Sequence, residues 1–159
     1  DSIVPYTQLM VLHELLDQPD SVELWARSGL RVFESSPIKA ASIRMALARF
    51  FYRRGRSEEA LEQMREIIRR YPEAGGSADL ARLCLGEMDP EQFLSLVENK
   101  YPHFQSAAPA FLIMADVLAG KRSQALEQLR RSRKGLLKFA KKNPLIRREI
   151  RRAEKFVRS

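Results

Sequence analysis

The sequence predicts an all-α fold of about four stacked helical hairpins, followed by a basic terminal helix. Three observations carry this. Apolar residues recur at three- and four-residue steps along most of the chain, the period of a helix with one buried face. No stretch alternates apolar and polar residues convincingly enough for a strand. Pro37, Pro72, Pro102 and Pro144 each close a pair of helical segments, at spacings of 35, 30 and 42 residues. Proline stops a helix because it lacks the N–H and clashes with the preceding turn.

The elements follow in order. Leu9, Leu12, Leu15 and Leu16 mark one face of a helix over 6–17. Gln18-Pro19-Asp20-Ser21 is a turn, with Asp20 or Ser21 able to cap the next helix. That helix carries Val22, Leu24, Trp25, Leu30, Val32 and Phe33, and Ser35-Ser36-Pro37 ends it. A third helix over 40–54 turns Ile43, Leu47, Phe50 and Phe51 inward. Gly55 suits a left-handed C-terminal cap, and Ser57 can cap the helix that carries Ala60, Leu61, Met64, Ile67 and Ile68. Residues 78–86 read as a helix. Asp89-Pro90 starts another, since a capping side chain before proline marks a first turn. Helices follow at 107–119, at 123–142 with Gly135 as a place to bend or break, and at 145–157. The hairpins therefore fall at about 6–37, 40–72, 75–102 and 105–142, all within one domain.

Composition narrows the function. With 159 residues, 45% of them hydrophobic and one cysteine, the chain can bury a core but cannot form an internal disulfide framework. The longest uncharged stretch, Phe104 to Ala115, is far short of the roughly 20 residues that span a membrane. Cys84, His13 and His103 offer little for metal chemistry. His13 and Cys84 sit among leucines and read as core or half-buried residues. The phosphate-loop, dinucleotide, nucleophile-elbow and zinc-protease motifs are missing. These features point away from an enzyme, a cofactor or a small-molecule substrate. The chain starts at Asp1 without a signal-peptide pattern. It reads as a processed chain or a piece of a longer one, with the cytoplasm slightly favoured and a membrane-associated parent protein left open.

One self-similarity is specific. Ala60-Leu61-Glu62-Gln63-Met64-Arg65 recurs as Ala125-Leu126-Glu127-Gln128-Leu129-Arg130, and Gly55 recurs as Gly120, at an offset of 65 residues. That is about two periods of a roughly 34-residue unit. Residues 41–74 supply Leu47-Ala48-x2-Phe51, Gly55, Ala60-x3-Met64 and Pro72, with Arg44 in the leading tryptophan's place. Residues 106–139 supply Leu112, Gly120 and Ala125-x3-Leu129, with Asp116 at the aromatic position. In these residues the chain resembles the tetratricopeptide repeat family. Other α-hairpin arrays of the HEAT kind share the hairpin length. The resemblance implies a right-handed superhelix whose concave face binds a peptide or an amphipathic helix of a partner protein.

On that reading Met45, Arg49, Tyr52 and Arg53 line the groove, since they lie away from Leu47 and Phe51. The competing expectation is an ordinary solvated face. The matching face of the 107–119 helix includes Phe111 and Met114, which suit either an apolar ligand or the core between hairpins.

Charge adds a second candidate surface. Residues 121–159 hold 15 basic and 3 acidic side chains, whereas the first 120 residues are net acidic. Arg131, Lys134, Lys138, Lys141, Arg147, Arg148, Arg151, Arg152 and Lys155 are expected on the outer faces of the last two helices. They can form a solvated cap on the array, a site for an acidic protein or nucleic-acid phosphates, or an anchor on an anionic membrane.

Overall fold

The computed structural model describes residues 2–159. Among them every regular element is helical. The helices are α1 (Val4–Leu15), α2 (Pro19–Val32), α3 (Pro37–Arg53), α4 (Ser57–Arg70), α5 (Gly75–Cys84), α6 (Pro90–Asn99), α7 (Ala108–Leu118), α8 (Arg122–Ala140) and α9 (Pro144–Arg158), with a short 3-10 turn at Pro102–Phe104.

Prolines do start helices here. Pro19, Pro37, Pro90 and Pro144 occupy the first turns of α2, α3, α6 and α9, where the missing N–H is no loss. Gln92 reaches back to accept from the Asp89 N–H at 3.1 Å. Asn143 caps α9 by accepting from the Leu145 N–H at 3.2 Å. Two expected caps are corrected. Asp20 and Ser21 lie inside α2, because Pro19 already sets the first helical turn. Ser57 is the first residue of α4 rather than its cap.

The first helix of each pair ends in one shared backbone motif. Asp17, Gly55, Gly86 and Gly120 take positive φ angles of 56°, 76°, 76° and 73°. Their N–H groups donate to Glu14, Tyr52, Leu83 and Val117, and the following N–H groups donate to His13, Phe51, Arg82 and Asp116, each of the latter at 2.8 Å. Two crossed bonds of this kind satisfy the last carbonyls of a helix, and they need a left-handed residue. The four left-handed residues are 38, 31 and 34 positions apart.

Gly120 and Gly135 make an opposite-signed pair. A β-carbon at either would meet nothing within 4 Å, so the backbone alone decides. Gly120→Ala should cost about 1–2 kcal/mol, because a side chain strains the left-handed region. Gly135 lies inside α8, which runs through it without a break. Gly135→Ala should therefore stabilise by about 0.5–1 kcal/mol. Thermal melts must move in opposite directions; movement in the same direction would sink the assignment of Gly120 as a helix stop.

Packing follows the pairing. Each first helix packs on its own second helix, and α1, α3, α5 and α7 also touch in sequence. The second helices α2, α4 and α6 each also touch the next first helix. Ala48 and Ala60 are fully buried; small residues there let α3 and α4 approach closely. Arg44 ties the same two helices through a 2.9 Å bond to Gln63 Oε1. The last helix, α9, packs not only on α8 and α7 but also back on α3.

The inward face of α1 is not the leucine stripe. Leu12, Leu15 and Leu16 are exposed, as are Leu24 and Val32 on α2. Tyr6, Met10 and Glu14 turn inward instead, with Tyr6 edge-on to Trp25 and Phe33. Asp116, half-buried on α7, has its carboxyl pushed above the usual range by desolvation, with Lys121 opposing. No helix among the described residues is long and apolar enough to cross a membrane.

Candidate interaction surface

The expected groove is filled. Met45, Tyr52, Phe111 and Met114 are all buried. They are core residues, because α3 and α7 are covered on several sides and α9 packs on both. Arg49 and Arg53 are not free either. They form an ion cluster with two buried carboxylates, one from each end of the chain.

Arg53 is the centre of that cluster. Its Nε and Nη2 donate to Glu14 Oε2 and Oε1 at 2.8 and 2.7 Å, a bidentate pair. Its Nη1 donates to Glu149 Oε2 at 2.8 Å, and Arg49 Nη2 donates to the same oxygen at 2.7 Å. The Arg53, Glu14 and Glu149 side chains are 7%, 2% and 3% exposed, so these charges depend on one another. Burial opposes the Arg53 charge. The bonds to Glu14 and the field of Glu149 outweigh it, and its pKa is held above the ordinary value. Arg49 also lies 5.0 Å from the centre of the Phe111 ring. Tyr52 Oη, Arg49 Nε and Glu149 Oε1 are buried without a hydrogen-bond partner among the described residues. Burial, reinforced by Glu149, drives the Tyr52 phenol far above its ordinary range. Burial does the same to the Cys84 thiol, so neither is a nucleophile in this state.

Arginines of α9 close the ends of neighbouring helices. Arg148 Nη1 donates to the Glu14 carbonyl at 3.0 Å. Arg152 Nε donates to the Tyr52 carbonyl at 3.2 Å, and its Nη2 to Ser57 Oγ at 3.2 Å. Both carbonyls lie in the last turns of α1 and α3, where the helix dipole is negative and cations are favoured. Arg148 and Arg152 are thus half-buried structural arginines rather than the outward-facing residues expected.

The remaining basic residues are exposed. Arg131 pairs with Glu127 at 3.3 Å. Lys134, Lys138, Lys141, Arg147, Arg151 and Lys155 are exposed and make no ion pair among the described residues. On α9, Arg147, Arg151 and Lys155 follow at four-residue steps, so they share one face. A cleft of about 650 Å³ lies where α9 meets the end of α3, lined by Arg53, Arg54, Gly55, Arg148, Arg151, Arg152, Lys155, Phe156 and Ser159. No Asp or Glu side chain lines it among the described residues. The sequence already marked the α9 side; the contribution of α3 depends on a contact across about 100 residues of chain and left no local signal.

Other sites carry little chemistry. His13 Nδ1 lies 2.6 Å from Gln18 Oε1. His103 is exposed and packs edge-on against Phe104, with ring centres 4.6 Å apart. Among the described residues no three metal-capable side chains cluster. No protein-family model, no curated protein and no solved structure matches the chain.

Proposed function

We infer that this chain is a non-catalytic interaction module of tetratricopeptide-like form, a right-handed array whose inner face is occupied by its own terminal helix. Support for the array comes from the shared helix ending at 38-, 31- and 34-residue steps and from the Ala-Leu-Glu-Gln repeat at 65. On this reading the working surface is the basic face of α8 and α9, and its partner is an acidic segment of another protein.

The observation that carries the reading is the cleft at the α3–α9 contact, which no Asp or Glu side chain lines and where exposed Arg151 and Lys155 have no ion pair. Structural cations are normally answered by an acid or an acceptor, as Arg53 and Arg152 are here. Unanswered charge on one face attracts an anionic partner and speeds its approach. A protein is favoured over single-stranded nucleic acid because few aromatic side chains interleave with the basic ones, and base stacking needs them.

The test is a titration of the whole chain with a polyglutamate peptide, a duplex oligonucleotide and anionic vesicles, each at two salt concentrations. Polyglutamate should bind, more weakly at high salt, and the quadruple variant Lys134→Gln, Lys138→Gln, Arg147→Gln, Arg151→Gln should lose roughly tenfold or more. Binding to the oligonucleotide or vesicles with none to polyglutamate would overturn the reading.

A further inference from the structure

We propose that the cleft between the end of α3 and α9 is a binding site for a phosphorylated side chain within an acidic peptide. This rests on the reading of the basic face as a docking surface for an acidic partner, and it names the group the cleft recognises.

Four cations of α9 reach one cleft within two helical turns: Arg148, Arg151, Arg152 and Lys155. Two of them are already fixed. Arg152 is held by the Tyr52 carbonyl and Ser57 Oγ, with its guanidinium 5.9 Å from the centre of the Tyr52 ring. Arg148 is held by the Glu14 carbonyl, and its nearest carboxylate oxygen is 3.9 Å away. Neutral acceptors hold Arg152 in place without cancelling its charge. A fixed guanidinium loses less freedom when a ligand arrives, so more of the contact energy appears as affinity. Arg151 and Lys155 are exposed beside them, one turn apart, with no ion pair.

The charge count distinguishes a phosphate monoester from a carboxylate. One carboxylate brings a single charge and would leave most of this cluster unanswered. A phosphate monoester brings nearly two charges and three acceptor oxygens, which forked guanidinium donors match well. The cleft is concave, with α3 on one side and Phe156 as an apolar flank. A flat lipid surface meets exposed Arg151 and Lys155 more readily than half-buried Arg152. A peptide side chain can enter, and arginine clusters are a recurring answer to phosphorylated segments.

The experiment is fluorescence anisotropy on the whole chain with three dye-labelled peptides of one acidic sequence, carrying serine, glutamate or phosphoserine at the same position. Phosphoserine should bind at least about tenfold tighter than glutamate. Arg151→Gln with Lys155→Gln should remove that preference, whereas Lys134→Gln with Lys138→Gln on α8, outside the cleft, should keep it. Both pairs are exposed, and circular dichroism checks that the fold is intact. Equal binding of the glutamate and phosphoserine peptides would overturn the phosphate site while leaving the acidic-partner reading standing. Binding of oligonucleotide or vesicles, with none to any peptide, would overturn both.

Discussion

Replacing Arg53 with methionine lowers the stability of the chain by about 3–5 kcal/mol, the usual cost of leaving a buried ion without its partner. Arg53 answers Glu14 with two hydrogen bonds and Glu149 with one. Its removal strands Glu14 at 2% exposure, with only Arg148 nearby, 3.9 Å from its carboxylate. Glu149 keeps Arg49 but loses half of its ionic contacts. Urea unfolding should show the loss as a lower midpoint with an unchanged slope. A loss below about 1 kcal/mol, the range of exposed pairs, would mean that the cluster is solvated and that α9 does not sit on α3 as described.

The same physics predicts a rescue. Desolvating three charges is expensive, and a buried pair often contributes no more than an apolar replacement of similar size. Arg53→Met combined with Glu14→Met, Glu149→Met and Arg49→Met, which leaves no member of the cluster unpaired, should therefore recover most of the lost stability. The cluster's value then lies in pairing rather than in raw stability. Glu14 comes from α1, Arg53 from α3 and Glu149 from α9, so only one arrangement of the three helices satisfies all of the charges.

This cluster also marks the limit of what the sequence made legible. Helix limits could be read closely because they depend on neighbours: proline at a first turn, glycine after a last one. The burial of Met45, Tyr52 and the Arg53 side chain could not, because it depends on contacts between residues about 100 positions apart, such as Arg49 and Glu149. Two local signals did exist. Glu149 is the lone acid on the α9 stripe formed by Leu145, Ile146, Ile150 and Ala153. Glu14 follows Tyr6 and Met10 at four-residue steps. An acid on an apolar stripe asks for a buried cation, and Arg49 and Arg53, also four apart on an apolar helix, were the available ones. The leucine stripe of α1 misled because leucine count outweighed that pattern. Basic residues on α8 and on the outer face of α9 were legible as exposed, since they far outnumber the acids of those helices. Arg148 and Arg152 were not, because their partners are backbone carbonyls, which a sequence does not distinguish.

The second large effect is expected from a chain ended after Asn143. If α9 were only a lid on the last hairpin, its loss would fray α8 and leave the rest folded, as in arrays stabilised by nearest neighbours. The contacts say otherwise. Leu145, Ile146 and Ile150 are buried, and together they contribute about 5–9 kcal/mol at 1.5–3 kcal/mol each. Removing α9 also takes Glu149 from Arg53 and Arg49 and takes a second donor from the Glu14 and Tyr52 carbonyls at the ends of α1 and α3. The sum rivals the whole stability of a domain of this size, about 5–15 kcal/mol. The shortened chain should lose its cooperative thermal transition, including in its first half, far from the cut. A separate peptide of residues 144–159, added in excess, should restore the transition, because α9 is held by side-chain contacts and needs the covalent link only for concentration. An unchanged melting midpoint in the shortened chain would show that α9 is a lid. The inner face would then be open in solution, and Arg49, Tyr52 and Arg53 would return as its binding residues.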